Sequence, residues 1–352
     1  MKPHLVKRDG VRPEDLIGRI LCHDLVREGP AAKAGLRKGH RVQEDEAPLL
    51  LRQEWDELHL IELGEEDLSE EEAGKQLGRA VAGPGVVVKE RPHGKAELVA
   101  AHKGLLKVQV AALRRLNALE GMAVYTLFTN QVVSARETVA NAQITLLAVA
   151  RRTVREAEQI ARKAGGLLRV LPFTRWRIGA ILTGRVNERD EERFRSTLSE
   201  KLRWFGCEEL LDVTRLSDDP DQIRKTVQAF LGSGTNLLLI GGGNAMDPLD
   251  PVFRALAAVG AHVERHGMPA HPGTLLWIAS LGSMTMIGLP ACGMFSHVTL
   301  FDLLLPRFLA EGKISLDELA DFGHGGILNK AMAFRFPPYR VGKQVRSEEE
   351  EP

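Results

Sequence analysis

The residues with the clearest chemical potential lie between Asn236 and Leu256, in NLLLIGGGNAMDPLDPVFRAL. An apolar run meets Gly241, Gly242 and Gly243; Asn244 follows, then Asp247 and Asp250. Glycines after a strand let backbone N–H groups approach an anion closely. A helix N-terminus beside them adds partial positive charge. Two carboxylates near a phosphate suit magnesium, which binds few carboxylates and keeps several waters. On spacing alone a plainer reading stands beside this one: a strand-to-helix turn, with Asp250 capping the helix and Asp247 solvated. Two known phosphate motifs drop out. No GK[ST] follows Gly241, the GxGxxG spacing fails, and no acidic residue ends a following strand about twenty residues on.

Strands and helices must position this loop, and their pattern is regular in the second half. RWRIGAILTG is an apolar run ending in Gly184. Phe194, Leu198, Leu202 and Phe205 then share one helical face. EELLDVTRL reads as a strand, and Asp219 with Pro220 forms a cap-plus-proline helix start. Ile223, Val227, Phe230 and Leu231 make that helix's apolar stripe. TNLLLI is a buried strand, and Asp250 with Pro251 repeats the helix start. AHVERHG reads as a strand, PGTLLWIASLG as a helix, SMTMIGLP as a strand and FSHVTLFDLLLPRFLAEGK as a long helix. This alternation predicts an α/β fold with a doubly wound, mostly parallel sheet. Ligands of such sheets bind beyond the carboxyl ends of the strands. Gly184, Gly241–Gly243 and the Gly288–Pro290 turn all fall there.

The first half reads as a β-rich α+β region. DELHLIEL, GVVVKER, KAELVAA, GLLKVQV and MAVYTLF are short strand-like runs. Ser69 and Glu72 have capping-box spacing at one helix start, and a second helix runs from about Thr153 to Gly166. The expected organisation is a small module over 1–64, an α+β module over 65–172, the α/β domain over 173–340 and an acidic tail over 341–352.

Composition excludes several partner classes. Lysine plus arginine equals aspartate plus glutamate at 47 each, so nothing global favours nucleic acid or an anionic membrane. Aromatic residues make up only 5%, too few for base-stacking platforms. Apolar runs stop well short of the ~18 residues of a membrane span. Cys22, Cys207 and Cys292 form no zinc pattern, and so sparse a set suits a reducing cytoplasm. His266, His271 and His297 lack metal-ligand spacing, and Cys292 has no base adjacent in sequence.

Taken in order, AILTG, SDDPDQI, LLLIGGGNAMDPLD, HPG and IGLPACGMF resemble the molybdopterin-binding domain family. That family includes the molybdopterin molybdenumtransferases, the molybdopterin adenylyltransferases and the N-terminal domain of the competence-damage-inducible proteins. GRILCHDLV, KGHRVQEDEAPLL, AAHKGLLKV and RRLNAL in the first half resemble a divergent molybdenumtransferase-like subgroup. By position, Thr183 and Gly184 match the family's TG, and Asp218 and Asp219 its DD. Gly241 and Gly242, with Gly243 beside them, match its GG. Asn244 stands where a serine is usual, and its amide can still hydrogen-bond a phosphate or pterin. Asp247 and Asp250 match the acidic pair, Pro272 and Gly273 the PG, and Gly288, Leu289 and Pro290 the GLP.

The resemblance implies molybdopterin or adenylyl-molybdopterin as ligand at these residues, with Asp247 and Asp250 catalytic and holding magnesium. It further implies molybdate as co-substrate, a molybdoenzyme as partner and a homodimer. Arg185, after the TG, would add positive charge or be a plain solvated arginine. Departures bear on catalysis. The usual glutamate after TG is replaced, or displaced to Glu188; Ala291 and Cys292 interrupt the GLP turn's usual continuation; and no SAMDGYA-type segment is present. Ligand binding is therefore better supported than complete molybdate insertion. A non-catalytic cofactor carrier or chaperone, and a metal-dependent nucleotide pyrophosphatase, remain as alternatives.

Overall fold

A computed structural model describes residues 1–25, 36–184, 186–207 and 212–339. The chain divides into two compact units: 1–129 with 133–171, and 130–132 with 172–352. Both expected N-terminal modules fall within the first unit, apart from 130–132 and Pro172. Arg185, the expected acidic tail and the start of EELLDVTRL lie outside the described residues.

In the first unit, Glu57–Glu62 pairs antiparallel with Lys2–Lys7 on one side and Ile20–Leu21 on the other. Leu16, Leu21, Val42, Leu50, Leu58 and Leu60 form the core beneath them. A second sheet has the order Val86–Arg91, Lys95–Ala100, Thr138–Ile144, Met122–Thr126. The helix Glu70–Val81 covers it and starts at the expected capping box, with the Ser69 hydroxyl accepting from the Glu72 amide. Gly78 lets that helix approach closely, because a Cβ there would lie 2.4 Å from Ala96 Cβ. The second expected helix spans Arg151–Lys163 and buries Val154, Ala157, Ile160 and Ala161. All five expected strand runs are strands; Lys2–Lys7 and Thr138–Ile144 were not anticipated.

Met122–Thr126 is an edge strand, and an open edge invites pairing with another chain. The Asn117 side chain blocks it. Its Nδ2 donates to Val124 O at 2.7 Å, and its Oδ1 accepts from Val124 N at 2.8 Å.

The second unit carries β1 (Ile178–Leu182), α1 (Glu188–Phe205), β2 (Asp212–Arg215), α2 (Pro220–Gly232), β3 (Leu237–Gly241) and α3 (Pro251–Ala258). Then follow β4 (His262–His266), β5 (Trp277–Leu281), β6 (Met284–Leu289), α4 (Ala291–Phe295) and α5 (Leu300–Glu311). One six-stranded sheet has the order β2-β1-β3-β6-β5-β4. Neighbours from β2 to β6 pair in parallel, while β5 is antiparallel to both β6 and β4. Every residue of β1 and β3 is buried, as central strands covered on both faces must be. Ile223, Val227 and Phe230 of α2 and Val252, Ala255 and Leu256 of α3 share one core with β3.

One expected element is corrected. WIASL is not helical but strand β5, paired with β6 across a two-residue turn at Gly282–Ser283. A short apolar run fits helix and strand equally, and the hairpin partner decides. The expected long last helix begins only at Leu300, where Thr299 and Asp302 form a capping box.

Asn117→Ala removes both edge bonds of Val124. The expected loss is about 1 kcal/mol of unfolding free energy from the urea midpoint, with new self-association in light scattering.

Candidate functional site

Sheet order sets where a ligand can sit. The chain leaves β1 for β2 on one side and returns through α2 to β3 on the other. The crevice between the carboxyl ends of β1 and β3 is thus a topological switch point, the usual ligand position in open α/β sheets. Thr183 and Gly184 follow β1, and the three glycines end β3.

These two strand ends interlock. The Thr183 N–H donates to Gly241 O at 2.9 Å, and its side chain is fully buried. Thr183 therefore joins the two turns instead of facing outward. Gly242 has φ +92° and lies so close to Thr183 that a Cβ would meet Thr183 O at 2.2 Å. Its glycine is demanded by the protein's own backbone, not by space for an anion.

Gly184 is different. It has φ +79°, and a Cβ there would lie 3.8 Å from Asp218 Oδ1 and 3.9 Å from the Gly243 amide nitrogen. The TG, DD and GG segments therefore meet around one point. Asp218 is exposed, whereas Asp219 caps α2 by accepting from the Asp221 N–H at 2.9 Å. Among the described residues, the N–H groups of Gly184, Gly243 and Ala245 have no protein acceptor. Those of Gly184 and Gly243 lie close together, with the Asp218 carboxylate beside Gly184.

Asp250 builds the loop that presents two of these donors. It is 6% exposed. Its Oδ2 accepts from Asn244 N at 2.6 Å, and its Oδ1 accepts from Val252 N at 2.9 Å. Asn244 Oδ1 accepts from Met246 N at 3.1 Å, so its Nδ2 is the group left to meet a ligand. Asp247 Oδ1 accepts from Leu249 N at 2.9 Å, and the side chain is exposed.

The remaining expected residues shape turns at the same end of the sheet. Gly288 is covered by an indole: a Cβ would lie 1.9 Å from Trp277 Cε2. Leu289 is buried beside Gly241, and Pro290 O accepts from Gly293 N at 2.8 Å. Pro272, preceded by a cis peptide bond, accepts from Leu300 N at 2.9 Å. Gly273 packs on Leu300, whose Cβ a Gly273 Cβ would approach to 2.7 Å. Glu188, the displaced glutamate, is the first residue of α1 and is 91% exposed near Arg215.

The two expected magnesium carboxylates, Asp247 and Asp250, differ in what they have left to offer a cation. Asp250 spends both oxygens on backbone N–H groups, so its part is structural. Asp247 spends only Oδ1 on the backbone, so its Oδ2 is the carboxylate oxygen that would meet a magnesium ion if one is bound with the ligand. Among the described residues no group of three or more His, Cys, Asp or Glu gathers to hold a metal.

Sequence reading missed Lys201 and Asp302, a fully buried ion pair with Nζ–Oδ1 at 2.7 Å. One signal was present: Lys201 lies between Leu198 and Leu202 on the apolar face of α1. The Thr299–Asp302 spacing also marks a capping box.

Residues 179–310 match the model of a family described as a probable molybdopterin binding domain. Residues 179–310 of the second unit thus carry a domain of the molybdopterin-binding family. No curated protein matches the chain. Solved structures similar to it include the molybdopterin biosynthesis Mog protein from Mycobacterium ulcerans. That likeness has 16% identity, covers 43% of this chain and 96% of the other, and has a TM-score of 0.27. The molybdopterin biosynthesis MoeA protein from Pyrococcus horikosii matches at 11% identity over 89% of this chain and 76% of its own, with a TM-score of 0.29. The CinA protein from Thermoplasma acidophilum matches at 13% identity over 38% and 97%, with a TM-score of 0.28. Scores this low add nothing to the family match. No helix among the described residues is long and apolar enough to cross a membrane.

Two substitutions and a control check these assignments by stability. Asp250→Ala strands two backbone donors and is expected to cost about 2 kcal/mol. Gly288→Ala forces a methyl into the Trp277 ring and is expected to cost about 3 kcal/mol. Gly260→Ala, at φ +74° with open space around it, should cost less than Gly288→Ala in the same urea titration.

Proposed function

We propose that the second unit binds a phosphate-bearing pterin, molybdopterin or its adenylylated form, in the crevice between β1 and β3. The observation that carries this reading is the meeting of Gly184, Asp218 and Gly243 at the switch point, in a stretch that matches a molybdopterin-binding family.

The open N–H groups of Gly184, Gly243 and Ala245 receive phosphate oxygens, which are strong acceptors for unpaired backbone donors. Asn244 Nδ2 adds a side-chain donor. Asp218, an acceptor, suits the N–H edge of a pterin ring. Magnesium, bound through Asp247 Oδ2, would neutralise charge on the phosphates. Asp250 acts indirectly, by holding Asn244 and the start of α3 in place. Molybdate insertion, with AMP leaving the phosphoanhydride of adenylyl-molybdopterin, is the reaction we assign to this site. Transfer of the product to a molybdoenzyme and assembly as a homodimer belong to the same reading.

Asp247→Asn tests the site most directly. Titration calorimetry with adenylyl-molybdopterin should show magnesium-enhanced binding by the wild type. In the variant that enhancement should fall about ten-fold, with an unchanged unfolding midpoint. Equal magnesium dependence in both proteins refutes the role of Asp247. Release of AMP on adding molybdate, beyond one equivalent, distinguishes turnover from stoichiometric carriage.

A further inference from the structure

The ion pair between α1 and α5 is placed to do more than stabilise. Lys201 is 1% exposed and Asp302 fully buried. Charges so far from water require dense compensation. Lys201 Nζ lies 2.7 Å from Asp302 Oδ1 and donates to Ser296 O at 2.6 Å. The rings of Phe301 and Tyr339 flank it, at 5.1 and 5.9 Å from their centroids. Asp302 Oδ2 accepts from the Thr299 N–H at 3.0 Å and the Thr299 hydroxyl at 2.8 Å, closing the first turn of α5.

Each arm of this pair leads to a turn assigned above to the ligand site. Ser296 directly follows α4, the short helix that Pro290 begins through its bonds to Gly293 and Met294. Met294 reaches the end of β3, where a Cβ on Gly241 would sit 3.0 Å from its sulfur. Thr299 precedes Leu300, whose N–H donates to Pro272 O and whose Cβ supports Gly273. One ammonium group thus ties the Gly288–Pro290 turn and the Pro272–Gly273 turn to α1.

We propose that Lys201 and Asp302 are positioning residues that hold these two turns in register at the carboxyl end of the sheet. This rests on the reading that the turns border a pterin site. An apolar pair of similar volume would fill the same space. It would not grip a carbonyl on one side and a helix cap on the other.

The test uses the full chain with Lys201→Arg, Lys201→Met and the double variant Lys201→Met with Asp302→Asn. Lys201→Met leaves Asp302 buried without its partner, so loss of folding there is expected. The double variant removes both charges, and the carbonyl oxygen of the introduced amide still accepts from Thr299, so it should fold. Two measurements are made: amide exchange over 296–300, and affinity for neopterin monophosphate with magnesium. The double variant should exchange faster at Leu300 and bind about ten-fold more weakly, and Lys201→Arg should recover most of both. A folded double variant with wild-type exchange and affinity overturns the proposal. If the wild type itself binds no pterin phosphate, the ligand reading of the turns fails. Exchange at Leu300 then decides the positioning claim by itself.

Discussion

The buried carboxylate of Asp250 is the contact on which the site depends. A loop that ends a central parallel strand has few neighbours to hold it, because the strand's own ladder has stopped. Asp250 supplies the missing order with two bonds, one to Asn244 before it and one to Val252 after it. The loop between is drawn into a ring of backbone bonds, and Gly243 and Ala245 are left with donors facing no protein acceptor. Preorganised donors of this kind bind an anion without a further ordering cost. The neighbouring TG turn is locked to the same strand end through Thr183. A single carboxylate and a single threonine therefore fix the relative placement of two loops, the TG turn and the glycine loop.

Glycine has two distinct uses at this end of the sheet. Gly242, Gly273 and Gly288 are glycines because Thr183, Leu300 and Trp277 occupy the space a side chain would need. Gly184 combines positive φ with an outlook onto Asp218 and the Gly243 amide, whereas Gly243, also at positive φ, faces the Asp250 carboxylate. Motif matching cannot separate these cases, since both appear as a conspicuous glycine at a strand end. Only what lies opposite the missing Cβ tells them apart.

Much of this was legible in the sequence, and the failures have physical causes. Proline after aspartate marked α2 and α3 correctly because N-capping is local chemistry, satisfied within three residues. β1 and β3 were legible because continuous apolar runs of five residues suit strands covered on both faces. Thr138–Ile144 was missed because its inward residues include Ala140 and Ala142. Small side chains suit its central position in the sheet but give weak strand propensity. Trp277–Leu281 was misread because its identity rests on pairing with β6. The convergence of Gly184, Asp218 and Gly243 joins residues up to fifty-nine positions apart, so no local pattern could state it. Lys201 escaped notice because its partner lies about a hundred residues away.

The hairpin of β5 and β6 bears on how the sheet comes into being. β1, β2, β3 and β6 pair in parallel, and parallel neighbours need long crossovers whose closure entropy must be met before any bond forms. β5 and β6 need only Gly282 and Ser283 between them, and hairpins close in about 1–10 microseconds. β6 is also the strand that receives β3. The antiparallel margin of the sheet is thus a ready-made template. The strand bearing the glycine loop pairs with the same β6 whose other side is held by β5 and covered at Gly288 by Trp277.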